Sequence, residues 1–306
     1  MTRSPHTRTS RPSALGTLAA RVLTSQLKRA QRNLPGAAKS RNPERIHDMR
    51  VAIRRARVAL KVFAPCAPDA SWRPVRKELA WLAGYLGAVR DYDVGLAAFD
   101  QLCTGGHLSA VVTAPLRNCL VDERQRHVAA LRKVLSRPRA AAALAALATA
   151  ARTARACCTS IARTPAKEFL AAAILSSLKD LLASGDEDVT QLFAEHLHQL
   201  RIAFKRLRYL CEFAQPFYRR ALAAPIASCV VIQDCLGRHQ DLATLCEQLE
   251  QLARRCAKHG KHAAPSVLAC GVLVERAHAA MARERATFAD LWRDFPATAA
   301  HLRSIL

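Results

Sequence analysis

Apolar residues along this chain recur at intervals of three and four, the period of a helix, and seldom at the interval of two that marks a strand. The segment from His47 shows the pattern. Met49, Ile53, Ala56, Leu60 and Phe63 fall on one seam, and Val51, Val58 and Val62 form a second apolar flank. Periodicity of this kind predicts helices over about 13–33, 43–63, 72–88, 91–103, 108–135 and 138–161 in the first half. In the second half it predicts helices over about 165–183, 188–214, 219–236, 240–258 and 263–287, with a short last one near 288–304. Breaks are expected at Pro35 and Gly36, Pro65 and Pro68, Gly105 and Gly106, Ser184 and Gly185, Pro216, Gly260 and Pro265. Helices of about 15 to 28 residues joined by short connections predict an all-α fold of antiparallel bundles.

Between the two apolar flanks of the His47 segment runs a stripe of one sign. His47, Arg50, Arg54, Arg57 and Lys61 are spaced three, four, three and four residues apart. At about 100° per residue they share one narrow helix face. A solvated face is ordinarily wide and mixes both charges. A narrow cationic stripe bordered by apolar surface instead predicts the wall of a groove between helices. There the mutual repulsion is offset by an anionic partner.

The chain contains this segment twice. HDMRVAIRRARVALKVFAP, from His47, aligns with HQLRIAFKRLRYLCEFAQP, from His198, at an offset of about 150 residues. His198, Arg201, Lys205 and Arg208 fall where His47, Arg50, Arg54 and Arg57 stand. Glu212 replaces Lys61 and is placed to pair with Arg208 one turn earlier. A second pair, LGAVRD from Leu86 and LGRHQD from Leu236, keeps nearly the same offset and aligns Asp91 with Asp241. Two matches in the same order point to a tandem duplication. They divide the chain into a basic tail over 1–12, a first half over 13–164 and a second over 165–306, with the junction near Thr164 and Pro165. Two such halves facing each other about a pseudo-twofold axis would bring both stripes into one channel.

Charge narrows the partner. The 306 residues hold 47 Lys and Arg against 24 Asp and Glu, a formal net charge of +23. Such a field selects polyanions: nucleic acid, an anionic surface or a phosphate polymer. A histidine at the head of an arginine stripe has its pKa pushed down by the cations and up by a bound phosphate. Binding should then take up protons, with affinity rising as pH falls from 7 toward 6; the plainer reading is a structural histidine hydrogen-bonded at a helix start. The eleven cysteines show no C-x-x-C pair and sit mostly at apolar positions, as small buried hydrophobes of a reducing cytosol do. No apolar run reaches the roughly 18 uncharged residues of a membrane span. The acid-free, Arg-rich first 43 residues loosely resemble a transit peptide, but a disordered tail to about Pro12 followed by an ordinary helix fits them better.

On H-x-x-R-V-A-I-R-R-x-R from His47, H-x-L-R-I-x-x-K-R-L-R-Y from His198, LGAVRDYDV and LGRHQD, the sequence resembles the CHAD family, the conserved histidine α-helical domain. The resemblance runs from about residue 14 to the end of the chain. It implies two pseudo-symmetric four-helix bundles around a basic central groove that binds inorganic polyphosphate. It also implies a binding module, not an enzyme, associated with cytoplasmic polyphosphate granules. The implied phosphate ligands are His47, Arg50, Arg54, Arg57, His198, Arg201, Lys205 and Arg208; the stripe itself adds Lys61. Arg55 and Arg206 lie off the stripe, and Arg90 has Gln240 as its counterpart, so these three are secondary candidates. Family members often carry a triphosphate-tunnel domain with an E-x-E-x-K strand. That motif is absent here, and its activity is not carried over.

Two other classes remain. A nucleic-acid binder would interleave aromatics with its charges, and beside these stripes Tyr209 is the main aromatic. A phosphohydrolase would use His47 and Asp48 as metal ligands, yet Asp48 becomes Gln199 in the repeat. Asp91 and Asp93 point apart on a helix, where Asp91 suits a helix cap. Cys256, His259 and His262 lack a fourth zinc ligand. No phosphate-binding G-x-x-x-x-G-K-[ST] loop is present. The expectation is therefore no metal, no cofactor and no catalysis.

Overall fold

A computed structural model describes residues 14–39, 42–67, 71–104, 108–184, 194–258 and 264–306. The tail over 1–12, the breaks expected at Pro68, Gly105, Gly106, Gly185 and Gly260, and His259 and His262 lie outside the described residues. The helices are α1 Leu15–Lys39, α2 Pro43–Val62, α3 Trp72–Cys103, α4 Ala110–Leu135 and α5 Pro138–Ala156. They continue as the short α6 Ser160–Arg163, then α7 Ala166–Ala183, α8 Ala194–Tyr218, α9 Ala223–Ala257 and α10 Ala264–Ile305. Among the described residues there is no strand; the fold is all-α. Local chemistry sets several starts. The Asn42 side chain accepts a hydrogen bond from the Glu44 amide ahead of Pro43 at the first position of α2, and Ser109 caps α4 in the same way.

Several expected breaks are absent. The segments 72–88 and 91–103 form one helix, α3, and 219–236 and 240–258 form α9. Gly87 and Gly237 therefore sit inside helices, where a single glycine costs only about 1 kcal/mol, less than flanking burial contributes. A Cβ at Gly87 would stand 3.9 Å from Arg50 Nε, an ordinary contact, so the packing there does not require glycine. Asp91 is correspondingly an interior residue of α3 and not a cap. Pro35 and Pro216 fall in the last turns of α1 and α8, close enough to the ends not to break them. The two C-terminal segments are one helix, α10, running through Pro296.

In each half, consecutive helices pack side by side: α1 on α2, α2 on α3 and α3 on α4, then α7 on α8, α8 on α9 and α9 on α10. The halves meet along α3 and α9, and α2 approaches α8. One continuous apolar core draws on both halves, including Leu23, Ile53, Phe63, Phe204, Tyr209 and Phe295. Beyond it, the far ends of α3 and α9 join α4 and α10 in a smaller core around Phe99, Leu120, Leu249 and Leu273. An 18-residue window within 195–257 is apolar enough on average to span a membrane, but α8 and α9, which share that stretch, supply much of the buried core.

The contact of α1 with α5 is close enough to require glycine. A Cβ on Gly16 would stand 2.5 Å from the Ala154 carbonyl oxygen, which is backbone and cannot swing away. Gly16→Ala should lower stability by about 1–3 kcal/mol. Gly271→Ala, with nothing within 4 Å, should raise it by about 1 kcal/mol. Urea denaturation of the two variants distinguishes this contact from simple helix propensity.

Candidate anion-binding site

Where α2 approaches α8 the two helices and the middles of α3 and α9 enclose a cavity of about 400 Å³. From α2 come His47, Arg50 and Arg54, one per turn; from α8 come Arg201, Lys205 and Arg208. Helix α3 adds Arg90 and Asp91, and α9 adds Gln233, Asp234, Arg238 and Asp241. Seven Arg and Lys side chains thus converge against three aspartates.

The protein holds several of these cations at a cost. Burial, with the neighbouring Arg54 charge next, lowers the pKa of Arg50; burial also lowers that of Arg201. Lys205 is affected most. Burial first, then the charges of Arg201, Arg54 and Arg50, pull its ammonium down to about 7. His47 is lowered by burial and then by Arg90. The carboxylates offset only part of this: Asp91 lies 3.9 Å from Arg50, and burial raises Asp241 despite the facing Arg201. Three buried nitrogens on the residues named for the stripes, His47 Nδ1, Arg201 Nε and Arg208 Nε, have no hydrogen-bond partner among the described residues. Unpaired buried donors beside crowded cations are what an acceptor-rich anion would satisfy.

Tyr209 organises the seam between α2 and α8. Its ring is buried, its hydroxyl accepts a 2.9 Å hydrogen bond from Arg54 Nε, and Arg208 and Arg55 lie over its face. Glu212, the residue that replaces Lys61 in the repeat, pairs with Arg208 at 3.3 Å and with Arg55 at 2.6 Å. Arg55 is thereby neutralised within the seam and does not line the cavity.

The cavity gathers six of the nine stripe residues, and three lie apart from it. Arg57 and Lys61 are on the correct face of α2 but exposed and outside the lining. His198 is half-buried, with Nδ1 3.0 Å from Gln240 Oε1, and is also outside the lining. Arg206 is exposed, 3.8 Å from Asp180. Arg90 does line the cavity, and so does Arg238, which the helical stripes did not single out. A pair of hydrogen bonds to Glu284 fixes Arg238. Its signal lay in the LGRHQD motif, which also carries Asp241. Asp48 pairs with Arg29 at 2.9 Å outside the cavity, so it is not set beside His47 as a second metal ligand. Among the described residues, no group of three or more His, Cys, Asp or Glu side chains is arranged to hold a metal. The described cysteines are all free.

The CHAD domain family matches residues 21–250, most of the chain and nearly all of the helices that build the cavity. The chain belongs to the CHAD family. Among solved structures it is similar to the CHAD domain from the plant Ricinus communis, at 28% identity over 91% of this chain and 96% of that one, with a TM-score of 0.67. It also shares the fold of PptA from Streptomyces chartreusis, at 21% identity over 92% of this chain and 100% of that one, with a TM-score of 0.70. No curated protein matches the sequence. CHAD domains are associated with polyphosphate as a family. His47, Arg50, Arg201 and Lys205 lie on α2 and α8, within the region that the family matches.

Proposed function

We propose that this CHAD domain binds inorganic polyphosphate non-catalytically in the cavity between α2 and α8, and that this binding brings it to polyphosphate granules in the cytoplasm. The observation that carries the reading is the convergence of seven Arg and Lys side chains in one cavity, three of which, Arg50, Arg201 and Lys205, have their charges disfavoured by burial and by neighbouring cations. A ligand with a negative charge on every repeat unit relieves that repulsion at each turn of both helices. The geometry argues against single-stranded nucleic acid. Tyr209 is buried beneath Arg208 and Arg55, so it offers no face on which a base can stack.

Labelled long-chain polyphosphate, displaced at physiological salt by unlabelled polyphosphate, single-stranded RNA or duplex DNA, tests the reading. Polyphosphate should compete at least tenfold better than RNA or DNA at matched charge. Equal competition by all three would make the cavity a general polyanion trap. Phosphate released from the polymer by the protein alone would make it an enzyme.

A further inference from the structure

A second, larger concavity lies outside the central cavity. It encloses about 1200 Å³ along the outer face of α1, walled by α5 on one side and by the first turns of α2 on the other. From Thr17 to Asn33 it follows α1 for about 24 Å at 1.5 Å per residue. Small and apolar residues form part of its floor: Ala20, Leu27, Ala148 and Ala151.

Its charge is one-sided. Arg21, Lys28, Arg29 and Arg32 come from α1, Arg152 and Arg155 from α5, and Arg45 from α2, against the single carboxylate of Asp48. Helices α1 and α5 contain no Asp or Glu at all. Asp48 is already paired with Arg29, and Arg45 donates to Asn33. Among the described residues, Arg21, Lys28, Arg32 and Arg155 make no ion pair. Two adjacent helices without one carboxylate between them are not an ordinary solvated surface, which mixes signs.

We propose that this groove docks an acidic amphipathic helix of a partner protein. Two features favour a helix over a phosphate polymer. Arg21, Lys28 and Arg32 recur at seven and four residues, about 10.5 and 6 Å along α1, the spacing that carboxylates at seven and four residues present on a second helix lying alongside. A floor of alanine and leucine inside a cationic rim matches the apolar centre and polar border of a protein interface. A phosphate chain has no apolar face to bury there. The small side chains of α5 at Ala148 and Ala151 let another backbone come close. This docking is independent of the central cavity, whose lining shares no residue with the groove.

The probe is a fluorescein-labelled synthetic helix with glutamates at intervals of seven and four along one edge and an Ala/Leu face beside them. It is titrated with the full chain at physiological salt. Saturable binding is expected, weakened at least tenfold in Arg21→Glu/Arg152→Glu. It should persist in Arg50→Ala/Arg201→Ala and under saturating polyphosphate. A scrambled peptide of the same composition should bind at least tenfold less tightly. Absence of saturable binding, or equal binding of the scrambled peptide, overturns the proposal. Displacement of the peptide by polyphosphate also overturns it, and together with weaker polyphosphate binding by Arg21→Glu/Arg152→Glu makes the groove a track for the polymer. Loss of polyphosphate binding in Arg50→Ala/Arg201→Ala while the peptide still binds keeps the two sites apart.

Discussion

Arg50→Ala combined with Arg201→Ala is expected to weaken polyphosphate binding by about two orders of magnitude or more without lowering the melting temperature. The two arginines hold aligned positions on α2 and α8 and face the same cavity. A hydrogen bond to a charged acceptor contributes about 1.5–3 kcal/mol, and each 1.4 kcal/mol is about tenfold in affinity. Losing one such bond from each helix therefore removes at least a hundredfold. Stability behaves differently, because the fold already disfavours both charges: burial lowers each pKa, and Arg54 opposes both. Removing a cation that is worse off folded than unfolded relieves repulsion. Asp91 and Asp241 each lose a facing guanidinium, which offsets part of the gain. Isothermal titration with polyphosphate and thermal melts by circular dichroism read the two effects separately. Unchanged affinity in the double variant would place the site elsewhere; a large fall in melting temperature would make these arginines structural.

A single substitution on the same stripe but outside the cavity provides the contrast. Lys61→Ala should change polyphosphate affinity less than about threefold at physiological salt, because an exposed cation acts through a screened field. This difference between Arg50 and Lys61 marks the limit of periodicity. Helical spacing fixes the direction in which a side chain leaves the axis, and His47, Arg50, Arg54, Arg57 and Lys61 share that direction. It does not say how far along the axis a neighbouring helix stays close. The first turns of the stripe face α8, whereas Arg57 and Lys61 lie outside the shared lining.

The same distinction explains the rest. Amphipathic seams made the helices and the all-α class legible, and the repeated H-x-x-R segments pointed to the two helices that meet. The gaps expected between 88 and 91 and between 236 and 240 do not form, because a charged or polar stretch weakens the apolar period locally while packing of the flanking turns keeps α3 and α9 continuous through them. Arg238, Gln233 and Asp234 enter the cavity from α9 only through tertiary placement. They follow no stripe aligned with His47. Tyr209 looked like a possible stacking surface in the sequence. Its burial, with the hydroxyl spent on Arg54, depends on how α2 and α8 cross.

Deprotonation of Lys205 should make polyphosphate binding fall by roughly fiftyfold from pH 7 to pH 9, if a bound phosphate chain restores its ordinary pKa of about 10.4. Without ligand, burial and the charges of Arg201, Arg54 and Arg50 hold the ammonium at about 7, with Asp241 opposing weakly. At pH 8 most lysines at this position are therefore neutral, and binding must take up a proton. Affinity is highest where the proton is already present and declines as pH rises through the free pKa. His47, lowered by burial and then by Arg90, extends the same trend below its ordinary value of 6.5. The stability of the unliganded fold runs the opposite way. Unfolded Lys205 remains protonated up to its ordinary pKa, so the unfolded state binds more protons and the fold gains stability from pH 7 to about pH 8.5. Above that, the buried thiols of Cys211 and Cys246, raised by burial, reverse the slope as their unfolded counterparts ionise. Lys205→Arg keeps a cation that does not titrate in this range and should flatten the binding profile while preserving affinity at pH 7. Lys205→Gln should flatten it at lower affinity. A wild-type profile level from pH 7 to 9, or a slope that survives in both variants, would assign the proton to another group.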